Sequence, residues 1–231
     1  MSKIVVTNFS GNAGKSTISR HLLAPRMNNA TVIPVESINS DGSDDVAIKG
    51  RQFAELMEAL AVLDNAVVDV GASNVEDFLG QMKDYRGSHE DFDYFVVPTI
   101  PKKKQIRDTI ATIDTLAEIG VPADKIRVVF NMVDRDEDVE RAFSGLFEYH
   151  KDEKNFTLRP GAVIQVSEIF GKIGNGSIKD ILNDTTDLKA ELQAANDPDA
   201  KLAISRRIAI KRLAVGVNEE LDAVHKTLFA K

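Results

Sequence analysis

Short apolar runs rich in β-branched residues alternate with helical segments along most of this chain. In one such segment Phe53, Leu56, Met57, Leu60 and Leu63 recur at the three- and four-residue spacing of an amphipathic helix. Strands that alternate with helices predict βαβ units and a mostly parallel sheet. We therefore expect an α/β fold with a doubly wound sheet. The predicted strands are Lys3–Phe9, Ala30–Val35, Ala66–Val70, Asp93–Ile100, Ile126–Val133 and Ala162–Val166.

The strand pattern stops after the sixth run. Ile178–Ala195 has helical spacing with a break near Asn183–Thr186, and Asp199–Leu228 is one long helical stretch. We therefore predict an α/β domain at 1–175 and a helical C-terminal extension at 176–231, packed on the same domain. The last helix carries an apolar stripe that we expect to pack against the domain or a partner. The stripe consists of Val217, Leu221, Val224 and Leu228.

A glycine-rich turn joins the first predicted strand to a predicted helix at Lys15–Leu23, which Pro25 ends. From Ser10 to Thr17 it reads SGNAGKST. Backbone N–H groups of such a turn converge on phosphates, helped by the helix N-terminus. Lys15 would neutralise the outer phosphates, and the Ser16 hydroxyl would ligate Mg²⁺. The predicted nucleotide-binding residues here are Ser10, Gly11, Asn12, Ala13, Gly14, Lys15, Ser16 and Thr17.

The usual phosphate loop has a glycine where this chain has Phe9, so the strict GxxxxGK[ST] pattern fails. The alternative is a chance Gly-Lys-Ser at a helix start. Strand, turn and helix all fall where the motif requires them, which favours the phosphate loop.

The loop resembles the deviant P-loop of the ParA/MinD ATPases, written KGGxxK[ST]. Four positions match, namely Gly11, Gly14, Lys15 and Ser16. Ser10 replaces the first lysine of that pattern, and Asn12 replaces the second glycine. The resemblance covers about 1–171 and is closest to the plasmid StbB-like proteins, through NFSGNAGKST and HLLAPRM. It implies a P-loop NTPase fold of the SIMIBI type, ATP and Mg²⁺ as cofactors, and a switch ATPase in plasmid stability, partition or positioning.

An acidic residue lies near the end of the third predicted strand. Asp69 would hold the magnesium shell through water and would share the metal with Ser16. The segment that follows, Gly71–Ser73, resembles the family loop that senses the γ-phosphate. The alternative is a strand-end aspartate that caps the next turn.

The loop after the second strand departs most from the family pattern. That pattern is D-x-D, and its second aspartate positions the attacking water. Glu36 matches the first acid, but Ile38 occupies the place of the second. We therefore expect hydrolysis to be slow or to use Glu36 or Asp41, although a solvated loop is favoured for Asp41. The predicted catalytic residues are Lys15, Glu36 and Asp69.

Asn131 lies near the end of the fifth strand, where the family uses an asparagine to recognise adenine. With Asp134 it also fits the N-x-x-D spacing that recognises guanine in related GTPases. Met132 replaces the lysine of that GTPase motif. ATP is therefore favoured over GTP. The alternative is that Asp134 is simply a turn residue.

Two basic clusters are candidates for nucleic-acid binding. One consists of Lys102, Lys103, Lys104 and Arg107, and the other contains Lys201, Arg206, Arg207, Lys211 and Arg212. Because ParA-type proteins bind nucleoid DNA through surface cations, the second cluster is the preferred DNA patch, through Arg206, Arg207, Lys211 and Arg212. The alternative is a solvated helix face, since the net charge is −7 and no aromatics intervene.

The amino-acid composition excludes several kinds of functional site. Cysteine is absent, which excludes disulfides and thiolate metal sites. The sequence shows no signal-peptide block and no apolar run long enough for a membrane span, so we expect a cytoplasmic protein, with association with the nucleoid as an alternative. The expected partners are a protein of a plasmid maintenance or transfer system, non-specific DNA and a nucleotide-dependent second copy. The alternatives to a switch ATPase are a non-hydrolysing docking module and a small-molecule kinase or synthetase.

Overall fold

The computed structural model describes residues 2–35, 46–174 and 176–230. Its strands are β1 (Ser2–Val6), β2 (Thr31–Val35), β3 (Asn65–Val70), β4 (Tyr94–Thr99), β5 (Ile126–Val133) and β6 (Val163–Gln165). Over the described residues they form one sheet in the order β2-β3-β1-β4-β5-β6, and every pairing is parallel. The predicted α/β fold with a doubly wound sheet is confirmed.

Helices cover both faces of this sheet. They are α1 (Lys15–Thr17), α2 (Val46–Ala61), α3 (Val75–Asp84), α4 (Lys103–Ile119), α5 (Val139–Ala142), α6 (Ser144–Glu153), α7 (Ile169–Lys172), α8 (Ile178–Asn183), α9 (Leu188–Ala194) and α10 (Pro198–Leu228). The first face packs against α2, α3, α4 and α6. The second face packs against the segment after α1 and against α7, α8 and α10.

Successive side chains of the buried strands contribute alternately to the two hydrophobic cores, one on each face of the sheet. In β1, Val5 belongs to the first core and Ile4 and Val6 to the second. Successive strand residues point to opposite faces, so a strand covered on both sides reads as a continuous apolar run. This is why the strands of this chain were visible in the sequence.

The helix predicted at Lys15–Leu23 is only partly regular. The α-helical part is limited to α1, and Ile18–Leu23 is π-helical, with Ala24–Arg26 forming a 3₁₀ turn. The Ala24 N–H bonds to the Ser19 carbonyl, five residues back. Pro25, which lacks an N–H, lies inside the 3₁₀ turn and not at the helix end that we predicted.

The long last helix closes the second face of the sheet. The apolar stripe of α10 is buried in the same core as β1, β3 and the π-helical segment. Arg26 also holds this helix through polar contacts. Its guanidinium pairs with Asp222 at 2.7 Å and donates to the Asn218 carbonyl at 3.0 Å. No described helix combines the length and apolar character that crossing a membrane requires.

Candidate functional site

Three strand ends meet around the loop that follows β1. The central strand β1 lies between β3 and β4, and Val6 is in register with Asp69 of β3. Ligands in open parallel sheets bind beyond the carboxyl ends of the strands. Asp69 and Asn131 lie two positions after Val67 and Val129 in their strands, so both point to the face that the π-helical segment covers.

The loop reaches α1 through a left-handed glycine. Gly14 has φ +89°, and a Cβ built on it would lie 2.1 Å from Asn131 Nδ2. Asn131 is buried, and its Nδ2 donates to the Ala13 carbonyl at 2.9 Å. The loop is therefore held closely against β5, and this position requires glycine for two reasons, backbone conformation and space.

Lys15 lies beneath the loop, with only 7% of its surface exposed. Its Nζ donates to the Ser10 carbonyl at 2.7 Å and to the Asn8 carbonyl at 3.1 Å. Burial lowers the pKa of Lys15, and the charge of Asp69 acts in the opposite direction. An ammonium has three donors, so one remains for a phosphate oxygen while the other two hold the shape of the loop.

Asp69 is the acidic partner in this pocket. It is 5% exposed, and its Oδ1 has no hydrogen-bond partner. Burial raises the pKa of Asp69, while the hydroxyls of Ser16 and Ser19 and the charges of Lys15 and Arg20 act in the opposite direction. A buried carboxylate oxygen without a donor is costly unless a ligand satisfies it.

The donor set fits magnesium held mainly by a nucleotide. Ser16 is exposed at the start of α1, and Asp69 Oδ1 offers a second oxygen. Mg²⁺ usually keeps several waters and binds through one or two protein oxygens together with substrate phosphates. No group of three or more His, Cys, Asp or Glu among the described residues could hold a metal by itself.

The sequence interpretation missed Asn8, which is fully buried behind the loop. Its Nδ2 donates to the Pro98 carbonyl and to Thr109 Oγ1, both at 2.8 Å, and its Oδ1 accepts the Ser10 N–H at 2.7 Å. Asn8 thus ties the loop to β4 and α4. The signal was an asparagine within the apolar run KIVVTNF, which we had predicted to be strand throughout.

Replacing Asn8 with alanine is expected to lower the free energy of unfolding by about 2 kcal/mol or more. Each buried polar group left without a partner costs about 1–3 kcal/mol. The Ser10 N–H and the Pro98 carbonyl lose their bonds to Asn8, whereas Thr109 Oγ1 keeps its bonds to Thr99 and Gln105. Urea unfolding measures the change. Asn183→Ala, at an exposed position, is the matched control. Equal stability of the two variants would contradict this role.

The residues predicted to recognise the base are Asn131, which lies in β5, and Asp134, which follows it. Met132 has φ +54° and is exposed, and Asp134 is exposed just beyond the end of β5. The Asn131 amide nitrogen is already used by the loop. The structure therefore brings Asn131 to the phosphate loop itself and leaves Asp134 at the surface.

The candidate switch after β3 is connected to the end of β2. Ala72–Asn74 forms a 3₁₀ turn, and Asn74 Nδ2 donates to the Val35 carbonyl at 2.6 Å. The predicted residues of the neighbouring loop, Glu36, Ile38 and Asp41, lie outside the described residues.

The preferred DNA patch on α10 is not a set of four unpaired cations. Arg207 pairs with Asp184 at 3.3 Å and with Glu191 at 3.2 Å. The Lys211 ammonium donates to the Asp184 carbonyl. Arg206 and Arg212 are exposed and have no ion pair among the residues that the structure describes. Arg207 is therefore paired with acids distant in sequence, and the DNA-binding role of the four residues stays a prediction.

Comparison with known proteins supports the fold. No protein-family model matches the chain, and no curated protein matches it. Apo McdA from Cyanothece is 14% identical with a TM-score of 0.51, and the match covers 99% of each chain. In the MinC:MinD cell division protein complex of Aquifex aeolicus, the matched chain is 14% identical with a TM-score of 0.51, and the match covers 94% of this chain and 96% of that one.

At these sequence identities the comparison establishes the fold of the chain alone. It agrees with the parallel sheet, the loop after the central β1 and the helical C-terminal segment described above. The chain therefore has the fold of the ParA/MinD-type P-loop ATPases.

Proposed function

We propose that this protein is a ParA/MinD-like nucleotide-dependent switch that binds ATP–Mg²⁺ at residues 10–17. Its role would be in plasmid stability, partition or positioning, as in StbB-like proteins. In this proposal residues 1–175 are the nucleotide-binding domain, and residues 176–231 are a helical extension packed on it.

The observation that carries the proposal is the buried pair of Lys15 and Asp69 beneath a glycine loop. The two charges attract each other, and both groups are buried. Here Lys15 still has a spare donor, and Asp69 Oδ1 has no donor at all. A triphosphate with Mg²⁺ supplies both missing partners, because phosphate oxygens accept from the ammonium and the metal shell satisfies the carboxylate.

The switch would operate through the ends of β2 and β3. A γ-phosphate bound near Asp69 would order Gly71–Ser73 and the loop at 36–41. The bond from Asn74 to the Val35 carbonyl joins the turn after β3 to the end of β2, and it would transmit a change between them. The outcome would be a changed affinity for a partner protein of a plasmid maintenance or transfer system, or for a second copy of the chain.

Hydrolysis is proposed to be slow. Ser10 replaces the lysine that reaches across the usual family dimer, and its short side chain is buried, with Oγ donating to the Gly11 carbonyl at 3.1 Å. The same observation favours the second candidate function, a docking module that holds nucleotide without turning it over. Lys15-dependent turnover separates the two candidates.

ATP is proposed as the preferred nucleotide. Met132 replaces the lysine of the guanine-recognition motif, the Asn131 amide nitrogen bonds to the phosphate loop, and Asp134 is exposed beyond the end of β5. Competition between ATP and GTP for the site tests this preference.

Asp69→Asn is expected to weaken magnesium-dependent ATP binding and to stabilise the protein without nucleotide. Burial raises the pKa of Asp69 above the ordinary 3.8. A raised pKa means that the protonated form is favoured in the folded state, so stability falls as pH rises from the ordinary value through the raised one. The neutral amide removes this loss.

Thermal unfolding across that acidic range and ATP titrations with and without Mg²⁺ measure the two effects. The exposed Asp64→Asn is the control, since it changes the same charge outside the pocket. If Asp69→Asn kept the full effect of Mg²⁺ on ATP affinity, Asp69 would not belong to the metal shell.

A further inference from the structure

A buried arginine lies at the edge of the sheet opposite the phosphate loop. Arg127 is near the start of β5, in register with Val96 of β4. All strands of the sheet run in one direction, so the start of β5 lies at the amino edge, whereas the phosphate loop follows the carboxyl end of β1. Arg127 precedes Val129 by two positions and therefore points to the face that α10 covers. The nucleotide site does not use this side chain.

The guanidinium of Arg127 is buried without a partner for its N–H groups. Only 7% of the residue is exposed, and its Nε has no hydrogen-bond partner. In the described part of the chain no acid pairs with it. Its Cζ lies 5.2 Å from the centroid of the Tyr94 ring, which attracts the charge but leaves five N–H donors without an acceptor. Buried charges in proteins are normally paired, because an unpaired one is costly.

A second arginine faces the same place. Thr157 forms a bridge with Arg127, and Arg159 follows two residues later on the same face, since Leu158 between them packs against the first core. The Arg159 Nε is also buried without a hydrogen-bond partner, while its Nη2 donates to the Ala230 carbonyl at 3.1 Å. Two guanidiniums thus lie on one face near the end of α10, and neither has an acidic partner within residues 2–35, 46–174 and 176–230.

We propose that Arg127 and Arg159 form a binding site for a small oxyanion, namely a carboxylate or a phosphate carried by a small molecule. The planar N–H pairs of a guanidinium match two oxygens of either group. Arg159 is half-buried and Arg127 almost fully buried, so Arg159 is the outer cation and Arg127 the inner one. The depth of Arg127 selects a small occupant. The site is separate from the phosphate loop and does not require that nucleotide binds.

Aromatic side chains from two elements surround the inner cation. Tyr94 of β4 contacts Phe229, which follows α10, with ring centroids 4.9 Å apart. Phe229 also contacts His225 of α10, with ring centroids 4.8 Å apart. Charge-assisted hydrogen bonds are stronger in such a low-dielectric environment than in water. An oxyanion held by both arginines would connect β5, the segment after α6 and the end of α10, so its binding should stabilise the packing of the last helix on the sheet.

A purely structural role for Arg127 makes a different prediction. If the contact with Tyr94 alone accounted for the buried charge, Arg127→Met would lower the melting temperature equally in every buffer. If the charge serves a ligand, the variant should be about as stable as the wild type without oxyanion, because an apolar side chain of similar length removes the cost of an unpaired buried charge. The difference between the two proteins should then appear only when an oxyanion is added.

The test combines calorimetric titration and thermal unfolding of the full chain in chloride buffer, with inorganic phosphate in one arm and succinate in the other. The phosphate loop is itself a candidate anion site, so the phosphate arm is repeated with Lys15→Ala. The wild type is expected to bind at least one oxyanion saturably and to melt about 3–6 °C higher at ten times the dissociation constant. Arg127→Met should raise that constant at least about tenfold, and Arg159→Met roughly threefold.

Arg86→Met removes the same charge at an exposed position and should bind and melt like the wild type. The arm that binds more tightly identifies the ligand group as carboxylate or phosphate. Absence of saturable binding in both arms would overturn the proposal, as would wild-type affinity in both arginine variants. A stability deficit of Arg127→Met that is equal in all buffers would assign the guanidinium to packing and also overturn it. If Arg127→Met fails to fold, Arg159→Met, at a half-buried position, decides by the same titrations.

Discussion

Lys15→Ala is expected to reduce the affinity for ATP–Mg²⁺ at least about tenfold. The ammonium lies under the loop, and its one spare donor supplies a charge-assisted hydrogen bond to a phosphate, worth about 1.5–3 kcal/mol. Loss of this bond corresponds to roughly one to two orders of magnitude in the dissociation constant. The variant also loses the bonds from Nζ to the Asn8 and Ser10 carbonyls, so the loop loses its internal support as well.

Calorimetric titration measures this effect, with thermal unfolding to show that the variant is folded. Lys83→Ala is the control, because Lys83 is an exposed lysine on α3. Steady-state ATP turnover of the same variants decides between the two candidate functions. Turnover that falls with Lys15→Ala supports a slow ATPase, and turnover that is absent in the wild type supports the docking module. An ATP affinity unchanged by Lys15→Ala would contradict the assignment of the loop.

Gly14→Ala is expected to lower the free energy of unfolding by about 2–5 kcal/mol. A left-handed conformation costs a residue with a Cβ about 1–2 kcal/mol, and overpacking costs about 1–3 kcal/mol. The second cost arises because the new Cβ would lie 2.1 Å from Asn131 Nδ2. The loop must shift to relieve this contact, so ATP affinity should fall as well.

Gly11→Ala is a sharp control for that experiment. Gly11 lies in the same loop, has no left-handed φ, and nothing lies within 4 Å of its added Cβ. Its stability should change by no more than about 0.5 kcal/mol. In Gly14→Ala/Asn131→Ala the collision is removed while the backbone strain remains, so the two changes should be less than additive. Equal destabilisation by Gly14→Ala and Gly11→Ala would contradict the close approach of the loop to β5.

The strands could be predicted from the sequence because each is buried on both faces. Runs such as Ile126–Val133 have no competing helical period, and their parallel pairing follows from the helices between them. The predicted first strand ran to Phe9, whereas β1 ends at Val6. After Val6 the chain leaves the sheet, and the Asn8 side chain takes over backbone partners in the loop and in β4.

The site was only partly visible in the sequence for a related reason. Lys15 and Asp69 could be proposed from the sequence because each follows or ends a strand in a known pattern, and the parallel sheet brings such positions together. The partners of Asn131 and Arg207 could not be predicted. Asn131 bonds to a residue 118 positions away, and Arg207 pairs with acids 16 and 23 positions away, which no local pattern records.

The most direct test of the account is a calorimetric titration of the full chain with ATP, ADP and GTP, each with and without Mg²⁺. The proposed function predicts one site per chain that binds ATP most tightly, requires Mg²⁺ for full affinity and prefers ATP to GTP. Absence of binding by all three nucleotides would contradict the central claim that the loop at Ser10–Thr17 holds a triphosphate.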